Sequence, residues 1–174
     1  FKPYMQMGAK GNLLQFANHD AKLYGVNLAW QLPLASSARW GRFMATGNAA
    51  YTRGKRSDSG DLYRMMPLNA MLAVEHKLGA WSNRIETKIV ARKDTVDPRR
   101  LEPETGGYAL VNLRSSVALS KMASLSAGVS NLFNRAYADP LGGVYLSGLK
   151  ANGGALQALP AEGRSIDLGL QLTF

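Results

Sequence analysis

The chain has 174 residues, no cysteine, and 21 lysines and arginines against 12 aspartates and glutamates, a formal charge of +9. Without cysteine there is no disulfide framework, thiolate metal site or cysteine nucleophile. No run approaches the roughly 18 to 20 apolar residues of a membrane helix, which excludes helical spans but leaves barrel strands open, because their signal is spread over short alternating segments.

The sequence starts at Phe1 with neither an initiator Met nor a charged-then-apolar leader, and it opens as if inside a strand. A longer parent protein is expected. The first clear alternation is 24–34, where Tyr24, Val26, Leu28, Trp30, Leu32 and Leu34 oppose Lys22, Asn27 and Gln31. A second segment, 43–53, is diluted by Ala and Gly. In 68–74, Leu68, Ala70, Leu72 and Val74 alternate with Asn69, Met71 and Ala73. In 81–91, Trp81, Ile85, Ile89 and Ala91 oppose Arg84, Glu86, Lys88 and Arg92. In 109–119, Ala109, Val111, Leu113, Val117 and Leu119 oppose Asn112, Arg114 and Ser116, and a weaker segment follows at 124–137. The last segment is the strictest: Ile166, Leu168, Leu170, Leu172 and Phe174 alternate with Ser165, Asp167, Gly169, Gln171 and Thr173. Period-two alternation of this kind defines strands with one apolar and one polar face.

Connections alternate in length, short near 35–41, 78–80 and 120–123, and long and polar near 54–66, 94–107 and 138–164. Short turns at one end and long loops at the other predict an all-β, antiparallel transmembrane barrel meander of seven or eight strands. Counting back from Phe174 puts every short turn on the terminus's own side, predicted to be periplasmic. Trp30, Trp81 and Phe174, with Trp40 and Phe43 nearby, fall at the short-turn end, and Tyr24, Tyr51, Phe133 and Tyr137 at the long-loop end. Two such bands match the aromatic girdles of a membrane barrel. Arg84, Glu86, Lys88, Arg92 and Arg114 on the polar faces suit an aqueous lumen better than a packed core.

Several segments, in order and spacing, resemble the carboxy-terminal part of TonB-dependent outer-membrane receptors. They are Ala21-Lys22-Leu23-Tyr24-Gly25-Val26, Asp61-Leu62-Tyr63-Arg64-Met65-Met66-Pro67-Leu68-Asn69 and Gly107-Tyr108-Ala109-Leu110-Val111-Asn112-Leu113. Val129-Ser130-Asn131-Leu132-Phe133-Asn134-Arg135-Ala136-Tyr137 and the Gly163-Arg164-Ser165 opening of the last strand complete the set. Asn134 stands where the family has Asp, and Ala161-Glu162 separates Pro160 from Gly163. The resemblance implies that residues 1–174 are the last portion of a barrel of about 22 strands in a Gram-negative outer membrane. It implies a plug domain and TonB box lying elsewhere, energised uptake of a scarce ligand through the inner-membrane TonB complex, and no enzymatic role or cofactor. A ferric siderophore is the leading ligand, with cobalamin, copper, zinc and haem open. It further implies that Ile166, Leu168, Leu170, Leu172 and Phe174 form the signal read by the barrel-assembly machinery. As one arc of a larger barrel, the chain alone is expected to leave two unpaired edges, which lipid does not tolerate.

Candidate sites cluster at the long-loop end. Arg53, Arg64, Arg92, Arg99 and Arg100, with Lys55, Arg56 and Lys93, predict an electropositive vestibule for a small anionic ligand or metal chelate. The same charge suits outer-membrane lipid and lipopolysaccharide phosphates. No basic helix or recognised motif supports nucleic acid. Parity puts Met65 and Met71 inward and Met66 outward, and Met65 is the thioether on which a copper reading rests. His19-Asp20 reads as a solvated strand-end pair, since no nucleophile elbow accompanies it, and His76 suits an interface or lumen position. The stretch Leu141 to Gly154 reads as a flexible external loop or lid. A passive porin or small stand-alone barrel and a soluble β-rich binding protein remain as rival readings, with a membrane-embedded hydrolase behind them.

Overall fold

The structure, a computed structural model, describes residues 2–8, 11–17, 20–57, 60–146 and 153–173. A hairpin of β1 (Lys2–Gly8) and β2 (Gly11–Ala17) forms its own two-stranded sheet. Seven further strands make one antiparallel meander: β3 (Ala21–Ser37), β4 (Gly41–Arg56), β5 (Asn69–Leu78), β6 (Trp81–Val90), β7 (Tyr108–Ala118), β8 (Ala123–Ser130) and, last, β11 (Ser165–Leu172). Two short strands, β9 (Val144–Tyr145) and β10 (Gln157–Ala158), pair within the connection between β8 and β11. The spatial order β11-β8-β7-β6-β5-β4-β3 follows the chain without a crossover, and the sheet is open, with β3 and β11 at its edges. Short turns and long loops alternate as the sequence predicts.

The seven strands fall where period-two alternation places them, β3 and β4 running past their segments at both ends and taking in 35–37, read as turn, with three further differences. β5 runs on to Leu78. β8 stops at Ser130, because Asn131 and Asn134 both adopt left-handed backbone (φ 51°) and turn the chain out of the sheet. Phe133 and Tyr137 therefore leave the strand face on which the sequence reading put them. Thirdly, β9 and β10 give local structure to a stretch read as loop. Phe174 and His19 lie outside the described residues, as do positions 147–152 of the Gly-rich segment.

Register assigns the faces. Trp30–Gly47, Leu32–Ala45–Val74–Ile85–Leu113–Val129–Ile166 and Leu28–Ala49–Ala70–Ile89–Ala109 are cross-strand rows on one side. That side is apolar and open: Ile85 in the middle of the sheet is 47% exposed, and Leu72, Val74, Leu113 and Leu125 are exposed beside it. A soluble sheet would cover such a face, since contiguous apolar patches of this extent are rare on soluble monomers. The five buried hydrophobics among the described residues are Ala45, Ala73, Val90, Tyr108 and Leu110. Three of these, Val90, Tyr108 and Leu110, cluster on the polar side at the long-loop end, with Met66 and Tyr137 packed on them.

One row interrupts the apolar side near the short turns. His76 Nε2 donates to the Trp40 carbonyl (2.9 Å), which leaves Nδ1 as acceptor 3.4 Å from Asn83 Nδ2. Ser115 Oγ donates to Asn83 Oδ1 (2.7 Å), and Phe43 stacks on the His76 ring at 4.4 Å. The polar groups of this row satisfy one another.

Glycine is required at one point on this side. A Cβ on Gly47 would lie 2.5 Å from the Trp30 indole, which rests flat across the glycine. Gly47→Val is expected to lift the ring, raise Trp30 fluorescence quenching by aqueous iodide, and cost about 1–3 kcal/mol through overpacking. Unchanged quenching would mean that the ring does not depend on this gap.

Candidate functional site

At the long-loop end three connections, 57–68, 91–107 and 131–164, are tied together around one carboxylate. Glu102 Oε1 accepts from Lys93 Nζ (2.6 Å) and from the Arg64 backbone N–H (2.8 Å), and Oε2 accepts from the Asp97 backbone N–H (2.8 Å). Lys93 Nζ also donates to the Pro140 carbonyl (2.7 Å), and Arg64 Nη2 to the Leu141 carbonyl (2.5 Å). The Lys93 and Glu102 side chains are each 3% exposed. A buried ion pair holds only when its remaining hydrogen-bonding capacity is met, and this network meets it from three loops.

Local sequence explains the shape. Asp97-Pro98-Arg99-Arg100 is a cap followed by a proline that presets the first turn: the Asp97 carboxylate accepts from the Arg99 N–H (3.1 Å) and a 3₁₀ turn spans Pro98–Arg100. Leu101 then takes left-handed backbone (φ 52°) and swings Glu102 back beneath Asp97. Lys93 and Thr105 exchange both backbone hydrogen bonds across the base of this loop (2.9 and 3.1 Å).

The 131–141 segment is fixed by side chains. Asn131 Oδ1 accepts from the Arg135 N–H (2.8 Å), its Nδ2 donates to the Arg135 carbonyl (2.9 Å), and its own N–H donates to Asn112 Oδ1 on β7 (2.9 Å). Asn134 Oδ1, in the place of the usual aspartate, accepts from the Arg164 N–H (2.9 Å). Tyr137 is thereby laid on Tyr108, with ring centroids 4.4 Å apart. Burial first, then Asp139 and Glu162, raises the Tyr137 hydroxyl above the usual phenol range, so it stays protonated to a more alkaline pH than a free phenol.

Below the loops the polar face carries a charged ladder. Arg84 bonds Glu75 (2.5 Å) and Glu86 (2.9 Å), Asn112 Nδ2 donates to Glu86 (3.4 Å), and Arg114 lies 3.9 Å from Asp167. That last pair reaches across β8 at Gly128, where a Cβ would meet the Asp167 carboxylate at 2.5 Å.

The five candidate arginines do not form one patch. Arg64 and Arg100 converge: Arg64 braces two loops, and the Arg100 guanidinium sits 4.9 Å over the Tyr63 ring and 3.9 Å from Asp97. Arg99 shares the 3₁₀ turn. Arg92 pairs with Glu104 (2.6 Å), whose hydrogen bond is the main cause of its raised pKa. Arg53 lies on the apolar face, opposite Tyr24 on β3, yet lines one cavity with Arg92 and Lys93; Lys22, set on the polar face by the alternation, shares the side of Tyr24 in the register. Met66 packs on the polar-side cluster, contrary to its outward parity, because β5 begins only at Asn69 and Arg64 (φ 60°) breaks the alternation ahead of it. Met65, Met66, Tyr51, Arg53 and Leu68 line a cavity of about 170 Å³ where β4 outruns β5. Among the described residues no group of three or more His, Cys, Asp or Glu side chains is placed to hold a metal. Of the girdle residues, Trp30, Trp81, Tyr24 and Tyr51 lie exposed on the apolar face, and Phe133 is 75% exposed beyond the end of β8. Sequence reasoning named Lys93 as a vestibule cation and Asn131 as part of a motif, not as buried residues that hold the loops, and it missed Asp97 and Glu102 altogether; the Asp-Pro pair was the one usable signal.

The family model described as "TonB dependent receptor-like, beta-barrel" matches residues 5–132. No curated protein matches the chain. Among solved structures it is similar to the copper transporter OprC, with 23% identity and a TM-score of 0.84 over 99% of this chain and 27% of that one. It is also similar to the ferric yersiniabactin uptake receptor FyuA from Yersinia pestis, with 18% identity and a TM-score of 0.65 over 90% of this chain and 24% of that one. The chain thus spans about a quarter of the length of either structure.

Proposed function

Because the chain belongs to the TonB-dependent receptor-like β-barrel family, we propose that it is the carboxy-terminal portion of an outer-membrane receptor that takes up a scarce ligand, a ferric siderophore first. The apolar face meets lipid, the charged ladder meets the lumen, and the short turns and carboxy terminus face the periplasm. A plug elsewhere in the protein couples to the inner-membrane TonB complex, and the last strand is the part read by the barrel-assembly machinery. The observation that carries this reading is the rim, where three long loops are locked to one another around Glu102 at the mouth of a polar face. Loops braced in this way present a pre-organised surface, and ordering on binding costs less there. The cations of the rim and the ferric yersiniabactin receptor among the structural neighbours favour an anionic chelate.

Copper is the second reading, favoured by Met65 and Met66 lining one cavity and by a copper transporter of the same fold. A strain deleted for the full-length gene separates the two. Loss of growth on a panel of ferric siderophores, restored by the gene and dependent on TonB, supports the first. Lost copper accumulation with siderophore growth intact replaces it with the second. Ion conduction by the purified protein in planar bilayers, with neither phenotype, sinks both in favour of a passive pore.

A further inference from the structure

The strand cations of the charged ladder are each matched by a carboxylate: Arg84 by Glu75 and Glu86, Lys88 by Asp139, and Arg114 by Asp167. One row nearer the short turns this stops. Register lays Arg42, Lys77, Ser82, Ser116, Ser126 and Gly169 side by side on the polar face from β4 to β11. Arg42 and Lys77 stand directly opposite each other, both exposed, and neither has an ion-pair partner among the described residues. Ser116 Oγ donates to the Ser82 carbonyl (3.5 Å) and Ser126 Oγ to the Gly169 carbonyl (3.3 Å), so these hydroxyls are turned to the wall. The short-turn segments 36–42, 77–82 and 116–126 carry Arg39, Arg42, Lys77 and Lys121 and no aspartate or glutamate, although the chain has 12. Like charges directly opposite across a strand pair destabilise it, and at about 5 Å between Cβ atoms one carboxylate can reach both.

We propose that Arg42 and Lys77 form an ionic latch at the periplasmic mouth of the lumen, and that its occupant is an acidic stretch of the same protein's plug. The latch rests on the receptor reading, which puts this row on the lumen wall at the periplasmic side. An exposed ion pair is worth up to about a factor of five, too little to retain a freely diffusing anion. A carboxylate on the same polypeptide is present at an effective concentration of about millimolar, and there the same pairing tips the balance between docked and undocked. The rest of the protein is long enough to supply it, since this chain spans about a quarter of either structural neighbour. The ladder above brings its own carboxylates, whereas at this row the acid has to come from outside the chain.

The full-length receptor in planar bilayers tests the latch through the fraction of time it conducts. Potassium chloride is raised from about 0.1 M to about 1 M, which cuts the screening length from about 10 Å to about 3 Å. The wild type is expected to stay closed in the dilute salt and to open several-fold more often in the concentrated one. Arg42→Gln combined with Lys77→Gln is expected to conduct about five- to twentyfold more often in dilute salt, two pairs at up to about fivefold each, and to gain little from added salt. Arg42→Lys keeps the charge and is expected to match the wild type. So is Lys121→Gln, which removes a cation from a turn but not from the row. Should the double variant fail to fold, the single Gln variants, each at about two- to fivefold, read the same effect. A double variant with the heat-modifiable mobility of a folded barrel that stays as closed as the wild type overturns the latch and leaves the receptor reading standing. A double variant that stays closed but no longer restores TonB-dependent growth on ferric siderophores also overturns it, because the cations then serve the transported anion. A wild type that conducts continuously overturns the latch together with the receptor reading, since no plug then closes the barrel.

Discussion

Replacing Glu102 by alanine is expected to release three long loops at once while leaving the strands beneath them in place. The substitution strands the Lys93 ammonium, 3% exposed, with the Pro140 carbonyl as its remaining partner, and removes the acceptors of the Arg64 and Asp97 N–H groups. Removing one partner of a buried ion pair costs about 3–5 kcal/mol, and the two orphaned amides add to it. The sheet does not share this cost, because local opening at a rim is separate from global unfolding. In the full-length protein, amide exchange of residues 62–67, 93–105 and 139–141 is expected to accelerate about two hundred- to five thousandfold, at 1.36 kcal/mol per factor of ten. Glu102→Gln should fall between the two, since its side-chain oxygen still accepts from Arg64 but the ammonium loses its counter-charge. Wild-type exchange rates in Glu102→Ala would show that the loops are held by something other than this carboxylate.

Ile85→Arg is the second large effect. Ile85 sits midway along β6, is 47% exposed, and has Val74 and Leu113 as cross-strand neighbours on the apolar side. On a soluble sheet an exposed position of this kind changes stability by about 0.5 kcal/mol or less. Facing the middle of a bilayer, arginine costs about 2–4 kcal/mol. Thr46→Arg is the matched control: it lies mid-strand on β4, on the polar side, where a lumen solvates the new charge and the cost stays below about 1 kcal/mol. Urea titration of the full-length protein folded into lipid vesicles reads both. Equal costs for the two substitutions would mean that the faces are not lipid and lumen.

The sequence was most legible where both faces of a strand were strongly typed. β6 was read almost residue for residue because Trp81, Ile85 and Ile89 alternate with Arg84, Glu86 and Lys88, so that a one-residue slip would have been plain. β4 carried Ala, Gly and Asn through 45–50, which blurs the two faces. Parity was lost there, and Arg53 was grouped with the rim by its nearness in sequence. β8 was overrun because Leu132 and Phe133 prolong an apolar impression past Asn131. The side-chain to backbone bonds of that asparagine stop the strand, and they leave no mark in periodicity. The Lys93–Glu102 pair was invisible for a related reason: within a loop, a charged pair that will be buried has the same composition as a solvated one.

The strands differ in length from one side of the sheet to the other, and this sets the height of the wall. β3 has 17 residues, about 56 Å of chain at about 3.3 Å each, against about 26 Å for the 8 residues of β11. At a tilt of about 40° these reach about 43 and about 20 Å, around an apolar band about 25 Å tall. The short-turn ends are in register, so at the long-loop end the β3 and β4 side of the sheet stands about 23 Å above the β8 and β11 side, and the rim of the proposed receptor is stepped, high on one flank and low on the other.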